Sequence, residues 1–156
     1  MILYARPNVI PWPPILLATA IGLAFLAGII KPMEMVTNAY ARACGVIIVF
    51  GGLAIDGWAI ITMHRARTNI LPHRAADRLV TNGPFRLSRN PIYFGNAVLC
   101  LGLSVATANL WHVFTAAIMV LAVDYLAIRR EERHLEALFG NDWLRYRSGT
   151  PRWIII

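Results

Sequence analysis

Four apolar runs, each close to bilayer-spanning length and separated by segments dense in arginine, constrain this chain more than any other feature. They cover residues 14–30, 43–64, 91–108 and 111–128. A helix of about 17–25 predominantly apolar residues is what crosses ~30 Å of hydrocarbon. The 156 residues suffice for one domain, yet 58% are hydrophobic and only 15% charged. Soluble domains hold roughly 45–50% apolar and 25% charged residues, and one this small has too little interior to hide the excess. The sequence therefore predicts an all-α polytopic membrane protein, a single domain over 1–156 with about four transmembrane helices. Residues 129–147 then continue the fourth run as a cytoplasmic amphipathic helix interrupted at Gly140.

Charge placement orients it. The net charge is +7, and fourteen of the fifteen cations are arginines. Twelve of these lie in two stretches, 65–89 and 129–152, whereas the turn Asn109-Leu110-Trp111-His112 between the last two runs carries no Lys, Arg, Asp or Glu. Arginines collect on the cytoplasmic side of a membrane. The 65–90 loop and the C-terminal stretch are thus expected inside, and four spans return the N-terminus, with Arg6, to the same side. Basic flanks of apolar runs suit anionic lipid, and no nucleic-acid partner is expected. No small-residue cleavage site stands out after the first run, which reads as a retained helix. Cys44 and Cys100 lie inside apolar runs as small hydrophobes, and His64, His73, His112 and His134 have no metal-ligand spacing, so no metal is expected.

Two polar clusters sit on the arginine-rich side. The first ends in Arg89-Asn90-Pro91, with proline at a favoured first helical position. Free backbone N–H groups and the positive dipole end there suit a carboxylate or phosphate. The second holds the adjacent carboxylates Glu131 and Glu132. Neighbours on a helix point about 100° apart, so one can face a pocket while the other braces an arginine. A ligand with a carboxylate at one end and a cationic or hydroxyl-rich part at the other satisfies both clusters. S-adenosylmethionine has that form; NADPH fits the arginines but explains the carboxylate pair less well. The chain contains no Gly-x-Gly-x-x-Gly and no Walker loop, which excludes a soluble Rossmann-type methyltransferase.

The pattern Leu-Val-x-x-Gly-Pro-Phe-Arg-x-x-Arg-Asn-Pro-x-Tyr-x-Gly begins at Leu79. From Glu131 the chain reads Glu-Glu-x-x-Leu-x-x-x-Phe-Gly-x-x-Trp-x-x-Tyr-x-x-x-x-Pro-Arg. Together they resemble the isoprenylcysteine carboxyl methyltransferase and phospholipid methyltransferase superfamily over roughly residues 68–152. The resemblance implies an integral membrane, S-adenosylmethionine-dependent methyltransferase with a cytoplasm-facing pocket. Its acceptor would be lipophilic or amphiphilic: a phospholipid amine, or a lipophilic thiol or carboxylate such as an isoprenylcysteine-like compound. It further implies that Leu79, Val80, Phe85, Arg89, Asn90, Pro91, Tyr93, Glu131 and Glu132 bind the cofactor. Carboxyl methyltransferases of this group usually carry His where this chain has Asn90. The tail from Gly140 to Arg152 also resembles NADPH-dependent sterol and steroid reductases, which is the alternative reading.

Two carboxylates fall within apolar runs, where a charge costs at least ~2.5 kcal/mol and needs a partner or a purpose. Asp124, Ile128 and Glu131 follow i, i+4, i+7 spacing, which puts Asp124 on the stripe of Glu131; Asp124 is the candidate catalytic residue. Asp56 reads equally as a structural hydrogen-bonding group or a substrate contact. Trp111, Trp143 and Trp153 read as interfacial belt aromatics.

Overall fold

The computed structural model describes residues 12–69 and 76–154. Arg6, His73 and Arg74, which entered the readings above, lie outside the described residues. Among the described residues six α-helices form: α1 (Trp12–Ile30), α2 (Ala39–Arg65), α3 (Pro91–Thr107), α4 (Trp111–Val123), α5 (Arg129–Phe139) and α6 (Asn141–Gly149). No β-strand occurs among the described residues.

The helix boundaries have local causes. Asn38 caps α2 by accepting from the Ala41 N–H at 2.9 Å, satisfying one of the donors a helix start leaves open. Pro91 opens α3, and Ala108 closes it in the left-handed region, with φ of 55°. Gly140 separates α5 from α6 at φ 50° and ψ −120°, a backbone geometry that glycine adopts and other residues avoid. The predicted cytoplasmic helix, interrupted at that glycine, is thus α5 followed by α6.

Helices Trp12–Ile30, Ala39–Arg65 and the continuous stretch Trp111–Phe139 are long and apolar enough to cross a membrane, and α3 is a shorter apolar helix. The protein is an all-α polytopic membrane protein. Ile29, Ile47, Phe50, Ile118 and Leu121 project outward, highly exposed, as lipid-facing side chains do.

Helices in lipid gain little from hiding apolar surface, so close backbone approach through small residues holds them together. Helices α2 and α3 pack along their length in this way. A Cβ at Gly52 would stand 2.7 Å from the Gly95 carbonyl oxygen, and one at Gly102 2.6 Å from the Val49 nitrogen. α1 lies against α4, α4 against α3, while α1 makes no extended contact with α2. At the end away from the arginines, Met35 N–H donates to the Ala108 carbonyl at 2.9 Å and Leu110 N–H to the Met33 carbonyl at 3.0 Å. Asn109 ties the same turn to α1 by donating to the Ala24 carbonyl at 3.0 Å.

One element departs from expectation. The helix continues past residue 128 as expected, but α4 passes into α5 through a π-helical turn, Asp124–Ile128, that no α-helical period anticipates. In an α-helix, eight residues turn the chain to about 80° off register and seven to about 20°. A π turn takes in one residue more, which subtracts about 100° and aligns Asp124 with Glu132 instead of Glu131.

Candidate active site

The arginine-rich end of the bundle gathers the start of α3, the α4–α5 helix and the segment after α6. Tyr93, one turn into α3, is buried and donates to both carboxylate oxygens of Glu131 on α5, at 2.8 and 3.0 Å. Glu132, next in the chain, turns toward two arginines. Its Oε1 meets Nη2 of Arg89 at 3.2 Å. Arg152 donates to it from Nε at 3.2 Å and from Nη2 at 2.6 Å. The remaining Nη1 of Arg152 reaches Oδ1 of Asp124 at 3.0 Å, and Arg129 takes Oδ2 of the same carboxylate at 2.8 Å. A chain of charge thus runs Arg129–Asp124–Arg152–Glu132–Arg89, and the π turn makes it possible by bringing both carboxylates to one guanidinium.

The backbone around Arg152 is fastened as firmly as its side chain. Its carbonyl accepts from Ser88 Oγ at 2.8 Å and from Asn90 Nδ2 at 3.3 Å. The Pro151 carbonyl accepts from the Arg89 N–H at 2.9 Å. Tyr146 of α6 donates to the Phe85 carbonyl at 2.7 Å, which binds α6 to the short 3-10 turn Gly83–Arg86. Burial pushes the Tyr146 hydroxyl above its ordinary pKa.

Arg89 has only 9% of its side chain exposed, and its guanidinium stacks over the Trp143 ring at 5.8 Å. Burial lowers its pKa, and the facing Glu132 works against that shift. Hydrogen bonding to Glu132 raises that of Arg152. Nε and Nη1 of Arg89, and Nε1 of Trp143, are buried without a hydrogen-bond partner among the described residues. Buried donors are ordinarily paired, so an unpaired set calls for an explanation.

Both residues border a cavity of about 360 Å³, within the ~300–1,000 Å³ usual for small-molecule sites. Its polar wall holds Arg89, Asn90, Asn96, Glu131, Glu132 and His134. Its apolar wall holds Pro13, Pro14 and Leu17 of α1 with Ile60 and Met63 of α2, the two helices that do not close on each other.

Of the sequence-predicted residues, Phe85, Arg89, Asn90, Pro91, Tyr93, Glu131 and Glu132 lie together on this wall. Leu79 and Val80 are half-buried and are not among the residues that line it. Asp124 also lies off the wall, engaged by Arg129 and Arg152. Its expected stripe with Glu131 is lost to the π turn. Trp143 is 1% exposed and supports Arg89, so it is no belt aromatic. Asn96 and His134 were missed, although each stands three residues after a predicted member, Tyr93 and Glu131, and so shares its helix face. Arg152 was read as a membrane-flanking charge and as the end of the second motif, with no site role given to it. Asp56 points from α2 at Gly95 of α3, where the missing side chain leaves room for its carboxylate.

The family model for phospholipid methyltransferase matches residues 40–142, from α2 into α6. The chain belongs to that family. Among curated members and relatives, it is 28% identical over 109 residues to protein-S-isoprenylcysteine O-methyltransferase B of Arabidopsis thaliana, covering 69% of this chain and 55% of that one. It is 32% identical over 113 residues to isoform A of the same plant, covering 69% and 57%. A cobalt-zinc-cadmium resistance protein of Cupriavidus metallidurans is 33% identical over 78 residues, 50% of this chain and 36% of that one. The chain spans a little over half the length of the two plant relatives. No solved structure matches. Helix α1, which supplies part of the apolar wall, precedes the stretch matched by the phospholipid methyltransferase model.

Proposed function

We propose that the chain is an S-adenosylmethionine-dependent membrane methyltransferase acting on a lipophilic or amphiphilic acceptor, with its cavity facing the cytoplasm. The observation that carries this reading is the buried Arg89 guanidinium, two of whose nitrogens have no partner among the described residues, on a residue that borders a cavity whose far side is apolar. A desolvated guanidinium with donors to spare favours a carboxylate, which it binds through charge-assisted bonds. The start of α3 at Pro91 adds free N–H groups at a positive dipole end. Family membership and relatives named as methyltransferases support the same conclusion.

The residues present fit the cofactor. Arg89 and the α3 start would hold its carboxylate, and Glu131, steadied by Tyr93, its ammonium or ribose hydroxyls. When bound, S-adenosylmethionine supplies a methyl group on a positive sulfonium, which a nucleophile takes by in-line displacement while the sulfur keeps the bonding pair. The protein's own contribution is alignment in a pocket shielded from water. Pro13, Leu17, Ile60 and Met63 would hold the acceptor's apolar part against the lipid side. Asp124, its oxygens both taken, would act on the site through Arg152 and not by accepting a proton. The dense arginines at the cavity end favour a cytoplasmic orientation.

Titration calorimetry on detergent-purified protein tests the reading. S-adenosylmethionine and S-adenosylhomocysteine should bind, NADPH should not, and labelled methyl should pass to a component of a membrane-lipid extract. Saturable NADPH binding with no response to either sulfur nucleoside would replace this reading with the reductase one.

A further inference from the structure

Arg152 does not line this cavity, yet it makes two bonds to Glu132, a member of the cavity's charged wall. Its guanidinium holds both oxygens of Glu132, and Glu132 in turn meets Nη2 of Arg89. That contact accounts for one of Arg89's nitrogens and leaves Nε and Nη1 as the unpartnered pair. The π turn is the second sign. Such turns are uncommon inside α-helices and frequent at functional sites. Here it rotates Asp124 onto the third nitrogen of the same guanidinium. Two carboxylates on one arginine are balanced by Arg89 and Arg129 at the ends of the chain of charge.

We infer that Arg152 is a positioning residue for the cofactor's carboxylate: by fixing Glu132 from behind, it sets the orientation in which Arg89 presents its two free donors. This rests on the proposed cofactor. Arg152 is itself held by carbonyl contacts from Ser88 and Asn90, the residues on either side of Arg89. Backbone and side chain of one residue therefore grip both halves of the site, the start of α3 and the α4–α5 helix. Without the guanidinium, Glu132 keeps only the 3.2 Å contact to Arg89. It would then draw more of that guanidinium to itself, competing with the ligand.

The test compares two ligands that differ at the end in question. S-adenosylhomocysteine carries the α-amino carboxylate; 5′-methylthioadenosine keeps the adenosine and thioether and lacks it. Calorimetry on the full chain in detergent should show that Arg152→Gln weakens S-adenosylhomocysteine roughly ten- to a hundred-fold. Methylthioadenosine affinity should stay within about two-fold of the parent, because the lost arginine acts on a carboxylate this ligand does not have. Arg152→Lys, which keeps the charge but not the planar fork, should fall between. If the glutamine variant does not fold, the lysine variant carries the comparison by the same selective loss. Equal weakening of both ligands would mean a merely structural arginine and overturn the inference, as would unchanged S-adenosylhomocysteine binding. A parent that binds neither S-adenosylmethionine nor S-adenosylhomocysteine sinks the cofactor reading and this one with it. A parent that binds both, with variants showing no selective loss, sinks the positioning role alone.

Discussion

Gly51 and Gly52 are neighbours on α2, yet alanine should move stability in opposite directions at the two positions. A Cβ at Gly52 would lie 2.7 Å from the Gly95 carbonyl oxygen and 2.8 Å from the Leu99 nitrogen, against 3.4 Å for ordinary contact. Both obstacles are backbone atoms of α3, so relief requires the helices to part by about 0.7 Å. A gap of ~0.5–1 Å forfeits a quarter to a half of the dispersion well at every contact it opens, and in lipid there is little hydrophobic gain to offset it. The expected cost is about 1–3 kcal/mol, the usual range for overpacking. At Gly51 a Cβ meets nothing within 4 Å, and alanine is up to ~1 kcal/mol better than glycine within a helix. Reversible unfolding in mixed micelles, followed by tryptophan fluorescence, should separate the two variants by roughly 2 kcal/mol or more. The packing argument is refuted if Gly52→Ala matches the parent, or if both alanines behave alike.

Tyr93→Phe removes the hydroxyl bond shared between the two Glu131 oxygens; it should weaken S-adenosylhomocysteine by about 1.5–3 kcal/mol in calorimetry, and parent-like affinity would remove Glu131 from the site. Arg89→Ala should weaken binding by a similar amount, while Arg67→Ala, exposed in the loop after α2, should leave it alone. Cysteine labelling in intact cells, on a background lacking Cys44 and Cys100, should find position 110 accessible from outside and 148 only from inside; the reverse would invert the topology. Tyr146 is protonated up to a pKa raised by burial, so folded protein holds that proton above pH ~10 where unfolded chain releases it. Its contribution is whole below that pH and declines above it, and Tyr146→Phe should flatten this part of the alkaline loss in thermal melts.

Hydropathy made the helices legible because lipid-facing residues must be apolar whatever else they do. Predicted and observed limits of α1 and α3 differ by one or two residues. The continuation of the fourth helix beyond Ile128 was legible in its amphipathic pattern, and the backbone hydrogen bonds do run on to Phe139; the π turn at the join was not. Asp124–Ile128 contains no glycine or proline to announce a π turn, so the stripe argument for Asp124 used the wrong period. Arg89, Glu131 and Glu132 were found because a helix start and an adjacent carboxylate pair are local patterns. Arg152 was visible as the last residue of the second motif, but its role was not, since it reaches Asp124 and Glu132 across 28 and 20 residues of chain. The burial of Trp143 depends in the same way on where α6 docks.

The clasp between residues 151–152 and the segment 88–90 fixes an order of assembly. Helices α1 to α4 are synthesised before Arg152, and outside the charged cluster none of them takes a hydrogen bond from it. Insertion and helix pairing can therefore run to completion while Asp124 and Glu132 still lack the guanidinium that joins them. Until then the half-built site is two separate ion pairs, Asp124 with Arg129 and Glu132 with Arg89, with nothing to lock one against the other. A nascent chain paused after α5 would be threaded and packed but chemically mute. Competence would arrive in a single late step, on the aqueous side, when the segment after α6 docks.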